Sequence, residues 1–482
     1  SAASDVYKRQ IYRWGGEMKE ELLYGRQLLA RELPLEFDPA SNEKLQSYPA
    51  FEEKSGKWIC RRCGAHVVPI KPTFCQCGQE CGYCTQCIQM GKVKRCLSFY
   101  HIEEANRFPK IKDPLAWQGQ LSSQQDLAAQ DIVQAILNRR TLLVWAVAGA
   151  GKTEMLFKGL ALAIEKGYRI GLASPRVDVC LELYPRLQAA FPKLAIALLY
   201  GQMEEDYVYR QMTIATTHQL LRFKQAFDLL IIDEIDAFPF DTDLVLQRGA
   251  DQARKENSAL IYLTATPNRQ MQKQIKQKKI QATILPARYH GHPLPVPKLK
   301  RSKNWQVNLL KKAGKTPVDR AIASRLQAGR RFLIFLPNIA WSKQWEGVLE
   351  AKFPQAKFAT VHAQDPDRKS KVIAMRRQEL DFLVTTTILE RGVTFPNIDV
   401  LVVGACDRVF TESSLVQISG RVGRSPDYPT GDILFFYHET SLAMKRAVKQ
   451  IKLMNKLARK RGLLHEWPMY PLPGRVSCTH FF

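Results

Sequence analysis

The residues with the most chemistry to offer lie in one short stretch, Ala146-Val147-Ala148-Gly149-Ala150-Gly151-Lys152-Thr153-Glu154. Side chains this small let backbone N–H groups close around phosphate oxygens. Lys152 directly after them can reach β- and γ-phosphates, and the Thr153 hydroxyl can sit on Mg²⁺. Asp233-Glu234-Ile235-Asp236 follows about 80 residues later. There Asp233 would hold Mg²⁺ through water, and Glu234 would orient an attacking water. Arg421 and Arg424 stand three apart, a spacing that predicts a helix carrying both guanidinium groups on one face. Two such cations facing a triphosphate across a cleft form an arginine-finger arrangement, so the set predicts nucleoside triphosphate hydrolysis.

These groups need a scaffold that brings strand ends together. Leu142 to Val147 is an apolar run of strand type, and Met155 to Leu160 follows with helical spacing. The phosphate loop therefore lies between a buried strand and a helix N-terminus, whose dipole favours anions. Leu229–Ile232 is apolar throughout, as a parallel sheet covered on both faces requires, and delivers Asp233 and Glu234 at its carboxyl edge. Arg169–Ala173 and Ala259–Leu263 read as further strands, the latter leading into Thr264-Ala265-Thr266, and Asp126–Leu137 reads as a helix. Strands resume at Arg331–Leu336, Phe382–Val384 and Val400–Val403. Between the two groups, Leu285–Pro297 carries four prolines and reads as an extended connector, with His290 and His292 as packing or solvated residues. The pattern predicts two α/β lobes, residues 113–290 and 291–465, behind an N-terminal region 1–112 and ahead of a tail 466–482.

Seven of the eleven cysteines fall between Cys60 and Cys87, with an eighth at Cys96. Cys60-x-x-Cys63 and Cys84-x-x-Cys87 are two knuckles at the spacing of a tetrahedral four-thiolate zinc site, within a module of about residues 58–97. Zinc is the better fit than an iron–sulfur cluster, and one metal per chain is the expectation. Four thiolates leave no open coordination position, so such a zinc is structural. Cys75, Cys77 and Cys81 are surplus: either one replaces a member of the set, or they form a second site with Cys96.

The formal net charge of +25 asks for a polyanionic partner, nucleic acid or an anionic membrane surface. No apolar run of about 18 residues occurs, which argues against a transmembrane helix. Met444–Arg461 has helical spacing with a basic side. It fits the closing helix of the second lobe, turned toward nucleic acid, or a helix lying on a membrane surface. Met18 reads as the more natural start, with residues 1–17 as gene-assembly residue lacking a signal-peptide pattern.

In order, Leu121–Gln125, Ala148–Thr153, Ser174–Arg176, Thr216-Thr217, Asp233–Asp236, Thr264–Thr266, Thr385–Thr394 and Gln417–Arg424 resemble the motifs of a superfamily 2 DEAD/DEAH-type helicase core. Ala146, where the usual phosphate loop has its first glycine, is a variation of that superfamily. With the cysteine knuckles ahead of the core, and Tyr83–Gly91 in particular, the chain resembles the ComFA family, ATP-driven motors of DNA uptake in naturally competent Gram-positive bacteria. The resemblance implies two tandem RecA-like lobes preceded by a small zinc-binding domain, with ATP, Mg²⁺ and Zn²⁺ bound. It implies that Gln125 reads adenine through both faces of its amide. Ala148, Gly149, Ala150, Gly151, Lys152, Thr153 and Glu154 would then line the nucleotide pocket with Gly392 and Thr394, and Arg176, Thr216 and Thr386 would touch the nucleic-acid backbone. It also implies single-stranded DNA pulled inward at the cytoplasmic face of the membrane, with the membrane uptake channel and other competence proteins as partners. A replication-restart-type duplex helicase or an RNA helicase would share this core, although zinc cysteines interrupt the motor in the restart helicase. A zinc-stabilised DNA-binding scaffold with a nucleotide switch is the reading from another class. Glu234, Arg421 and Arg424 speak against it, because a switch needs no hydrolytic set.

Overall fold

Two strands whose every residue is buried, Phe227–Ile232 and Ile398–Val403, set the architecture. A strand buried on both sides needs helices above and below it, which parallel crossovers supply. In the computed structural model, which describes residues 20–33, 42–67, 75–78, 81–201, 203, 207–311 and 315–465, each is an inner strand of its own parallel sheet. The first sheet has seven strands in the order 196–199, 212–216, 170–174, 227–232, 254–264, 141–146 and 281–285. The second has six, in the order 298–301, 433–437, 398–403, 331–335, 382–385 and 358–361. These are the two RecA-like lobes. Strand 254–264 separates the phosphate-loop strand from the carboxylate strand, so Thr264 and Thr266 emerge between the two halves of the site.

Ahead of the lobes stand small antiparallel sheets: 28–29, 98–101 and 46–49; then 51–54, 57–60 and 66–67; then a ribbon of Tyr83–Cys84 with Val93–Lys94. This region is keyed into the first lobe. Leu29, Phe51 and Cys60 share one buried cluster with the first sheet. The Arg169 guanidinium is fully buried, donates to Tyr24 O at 2.8 Å and the Tyr207 hydroxyl at 2.6 Å, and pairs with Glu104. A buried cation is tolerated only when its charge is paired in this way.

The helix Leu442–Lys460 closes the second lobe and also reaches the first. Met444 and Ala447 enter the second lobe's core, while Ile451 and Met454 enter the first's. Gln450 Nε2 donates to Ala265 O at 2.8 Å, and Asn455 bonds both N and O of Leu294 in the connector. Its apolar face is therefore already covered, which overturns the membrane-surface alternative for this helix. Among the described residues no helix is long and apolar enough to cross a membrane. Met18 and the tail from residue 466 lie outside the described residues.

Candidate active site

Strand Thr141–Ala146 runs into the loop Val147–Ala150, and the helix Lys152–Glu165 starts directly beyond it. Gly151 caps that helix at φ +74, and a Cβ on it would lie 2.2 Å from Gln125 Nε2, so only glycine fits. The helix N-terminus thus faces a cleft of about 530 Å³ between the lobes. The first lobe lines it with Gln125, Ala148, Gly149, Gly151, Lys152, Thr153, Glu154, Asp233 and Glu234, and the second with Gly392, Thr394 and Arg424. Ala150 is fully buried behind the loop. Lys152 Nζ stands 3.8 Å from Asp233 Oδ1, and Glu154 pairs with Arg186 at 2.5 Å. A lysine, a hydroxyl and a carboxylate around a helix N-terminus are the donor set that a Mg²⁺–triphosphate requires.

Gln125 is at the cleft, but its amide is largely used by the chain. Oε1 accepts from the Ser122 backbone N–H and hydroxyl, both at 2.8 Å, in a capping box, and Nε2 donates to Ala150 O at 3.0 Å. In this arrangement the amide serves the helix cap on one side and the phosphate loop on the other.

The two arginines correct the sequence reading. The helix Glu412–Ser419 ends before them, and Arg421 to Arg424 form a turn with Gly423 at φ +68. They do not share a helix face. Arg424 points into the cleft, its Nη1 3.1 Å from Thr394 Oγ1 and its Nε 2.9 Å from Gly420 O. Arg421 is buried behind it, with Nη1 donating to Val393 O and with Nε and Nη2 lacking hydrogen-bond partners among the described residues. Burial and the neighbouring Arg424 push its pKa down to about 9, still protonated at neutral pH. Gly420 brings this turn against the phosphate loop: a Cβ there would be 2.5 Å from the Ala148 Cβ.

Three residues unassigned in the sequence complete the site. Arg391 of the second lobe, 3% exposed, donates Nη2 to Asp236 Oδ2 and to Ser413 Oγ, each at 2.7 Å. It also stands 3.4 Å from Glu234 and 3.3 Å from Glu390. Asp236 accepts further from Thr264 and Ser413, each at 2.7 Å, and from Thr266. Burial raises the Asp236 pKa, but Arg391 and the hydroxyls outweigh it and hold the carboxyl well below its usual range. Glu234, in the left-handed region at φ +56, goes the other way. Burial raises its pKa above the usual carboxylate value, and Asp233 and Asp236 add to this against the opposition of Arg391 and Lys152. The third is Arg288, fully buried in the connector, which donates to Val422 O at 2.7 Å and to Gly420 O at 3.3 Å, clamping the arginine turn. Arg391 lies inside the Thr385–Thr394 motif, where adjacent Gly392 hinted at it; Arg288 gives no local signal.

Arg391 and Arg176 also line a second interlobe cleft of about 740 Å³, together with Arg269, Arg408 and Arg446. Arg176 pairs with Glu390 across the lobes at 3.2 Å. Thr216 ends the strand 212–216 and Thr386 follows the strand 382–385, and both are buried, so neither hydroxyl stands free on the surface.

The cysteines form two groups. The Sγ atoms of Cys60, Cys63, Cys84 and Cys87 all lie within 4.8 Å of one another and all four residues are buried. The contacts Cys60–Cys87 at 3.9 Å and Cys63–Cys84 at 3.4 Å suit thiolates around one zinc. Cys75, Cys77, Cys81 and Cys96 make a second group of the same span.

Comparison with known proteins agrees with this layout. Residues 16–101 match the Competence protein ComFA N-terminal domain, 127–274 the DEAD/DEAH box helicase domain, and 316–426 the helicase conserved C-terminal domain. The chain is 40% identical over 446 residues to Competence protein ComFA of Streptococcus pneumoniae (strain ATCC BAA-255 / R6), covering 92% of this chain and all of that protein. It belongs to the ComFA family. The ComFA protein of Bacillus subtilis (strain 168) is 41% identical over 404 residues, covering 84% of this chain and 87% of that one. A solved structure of the DEAD-box helicase Mss116 bound to ssRNA and UDP-BeF aligns at TM-score 0.50 and 16% identity, over 72% of this chain and 83% of that one. At that identity it speaks to fold alone. As a ComFA-family member, the chain is a competence-associated superfamily 2 helicase-type ATPase.

Proposed function

We propose that this ATPase is stimulated by single-stranded DNA and moves along it, carrying DNA into the cell during transformation. The observation that supports this most is the position of Arg391. It borders both interlobe clefts and joins Asp236 and Glu234 at the hydrolytic site to the side that carries Arg176. A strand bridging the lobes on that side favours the closed state in which Arg424 faces the phosphate loop. Lys152 and the loop N–H groups hold the triphosphate, and Thr153 and Asp233 would hold Mg²⁺, which would neutralise charge developing on the phosphates. Glu234 orients the attacking water, and Arg424, with Arg421 behind it, stabilises the transferring phosphoryl group. Arg176, Thr216 and Thr386 serve the nucleic-acid backbone, the threonines after local opening. The +25 charge suits such a partner. A membrane uptake channel and other competence proteins are the partners this reading implies.

The test is ATP turnover measured against single-stranded DNA, duplex DNA and RNA at several salt concentrations. Single-stranded DNA should stimulate most. A footprint of about six phosphates gives a slope near −4 in log K against log[salt], at ~0.7 per phosphate. A rate indifferent to DNA at low salt would remove the motor reading.

A further inference from the structure

The thiols of the second group, Cys75, Cys77, Cys81 and Cys96, take no part in the nucleotide site or in the first tetrad. Cys75 Sγ and Cys96 Sγ are 3.8 Å apart. That is the edge of a tetrahedron built on Zn–S bonds of about 2.3 Å, which works out at ~3.8 Å. A disulfide would need about 2.05 Å.

The backbone brings these thiols together. In the ribbon, Tyr83 pairs with Lys94 and Cys84 with Val93. Continuing that register by two residues sets Cys81 opposite Cys96, and the Arg95 N–H donates to Gly82 O at 2.9 Å between them. One end of the ribbon therefore gives Cys84 to the first tetrad, and the other gives Cys81 and Cys96 to the second. Along the chain the sets interleave: Cys60 and Cys63, then Cys75, Cys77 and Cys81, then Cys84 and Cys87, then Cys96. Closing the first site draws the ends of the intervening loop together, which lowers the entropy cost of gathering the second. Among the described residues from 60 to 97, the buried hydrophobic positions are Cys60, Cys63, Cys81, Cys84, Cys87 and Val93. A segment with one buried aliphatic residue has no core of its own to hold this geometry, and metal bonds are the usual substitute. Lys94 Nζ lies 3.9 Å from Cys75 Sγ, a cation beside what would be a negatively charged four-thiolate centre.

We propose that Cys75, Cys77, Cys81 and Cys96 bind a second, structural zinc ion, interleaved with the first site. The proposal does not depend on the DNA motor reading. It is tested by elemental analysis of the full chain purified under reducing conditions, which should find two zinc per chain. Cys77→Ser with Cys96→Ser should reduce this to one while ATP binding is retained. Cys77 and Cys96 are exposed, which gives a readout that needs no variant. In the wild-type protein they should resist alkylation until a chelator is added, and then react. One zinc per chain, unchanged in the double variant, would overturn the proposal. So would immediate alkylation of both thiols without chelator, a Cys75–Cys96 disulfide found by mass spectrometry, or iron in place of the second zinc. Should the double variant fail to fold, the alkylation result decides.

Discussion

Replacing Arg391 by alanine tests whether lobe closure rests on one buried cation. Its side chain is 1% exposed and stands among Asp236, Glu234 and Glu390, with Asp236 itself 5% exposed. Removing it leaves a buried carboxylate held only by the hydroxyls of Thr264, Thr266 and Ser413. Breaking a buried ion pair from one side costs about 3–5 kcal/mol. Because Asp236 and Arg391 belong to different lobes, the cost falls on closure and leaves each lobe's own folding largely untouched. At ~1.4 kcal/mol per tenfold, the closed-to-open ratio should fall by about two to three and a half orders of magnitude. Turnover at saturating ATP and DNA should fall with it. Small-angle scattering with a non-hydrolysable ATP analogue should show a larger radius of gyration than wild type, while thermal melting shifts little. Combining Arg391→Ala with Asp236→Asn should cost less than the two changes summed, since the stranded charge is gone. An Arg391→Ala protein that closes and turns over at the wild-type rate would refute this account.

Arg424→Ala should lower turnover by ~10³, the scale of an arginine finger, with ATP affinity changed far less. An equal loss of affinity would make Arg424 a ground-state ligand. Glu234→Gln should abolish hydrolysis and also change the pH dependence of stability. The raised pKa of Glu234 means that the folded state takes up a proton relative to the unfolded one. Wild-type stability is therefore fully present below the unfolded value of about 4.3 and declines as pH rises through the raised folded value. The glutamine variant lacks that decline, so above this window it should melt higher than wild type, and the two should converge below it. A variant that melts lower at neutral pH would mean that Arg391 and Lys152 stabilise the charge by more than burial penalises it.

Much of the hydrolytic site was readable because its parts are local. Lys152 and Thr153 follow their own strand and loop, and Asp233 follows six buried residues whose pattern admits little but a parallel strand. The arginine turn misled because a three-residue spacing fits a helix face, while the helix ends at Ser419 and Gly423, at φ +68, turns the chain between the two arginines. Gln125 stands at the cleft as expected, and at the third position of its helix it also serves the cap, a partner that its own spacing from Ser122 allows. Arg288 could not be found at all, since its partners lie about 130 residues away. The sequence leaves the second cysteine group as one of two alternatives, because the strand register that sets Cys81 opposite Cys96 is not written in the irregular spacing of Cys75 and Cys77.

The anchoring of the N-terminal region through Arg169 and the shared core has a mechanical consequence. The cysteine ribbon and the phosphate loop therefore belong to one packed body, and opening of the cleft would move the second lobe relative to both. On the proposed motor reading, anything gripped by the ribbon would keep a constant distance from the nucleotide throughout the cycle, as if one foot were fixed to the ground. Step length would then be set by the swing of the second lobe, with the helix Leu442–Lys460, packed into both cores, as the strap that limits its arc.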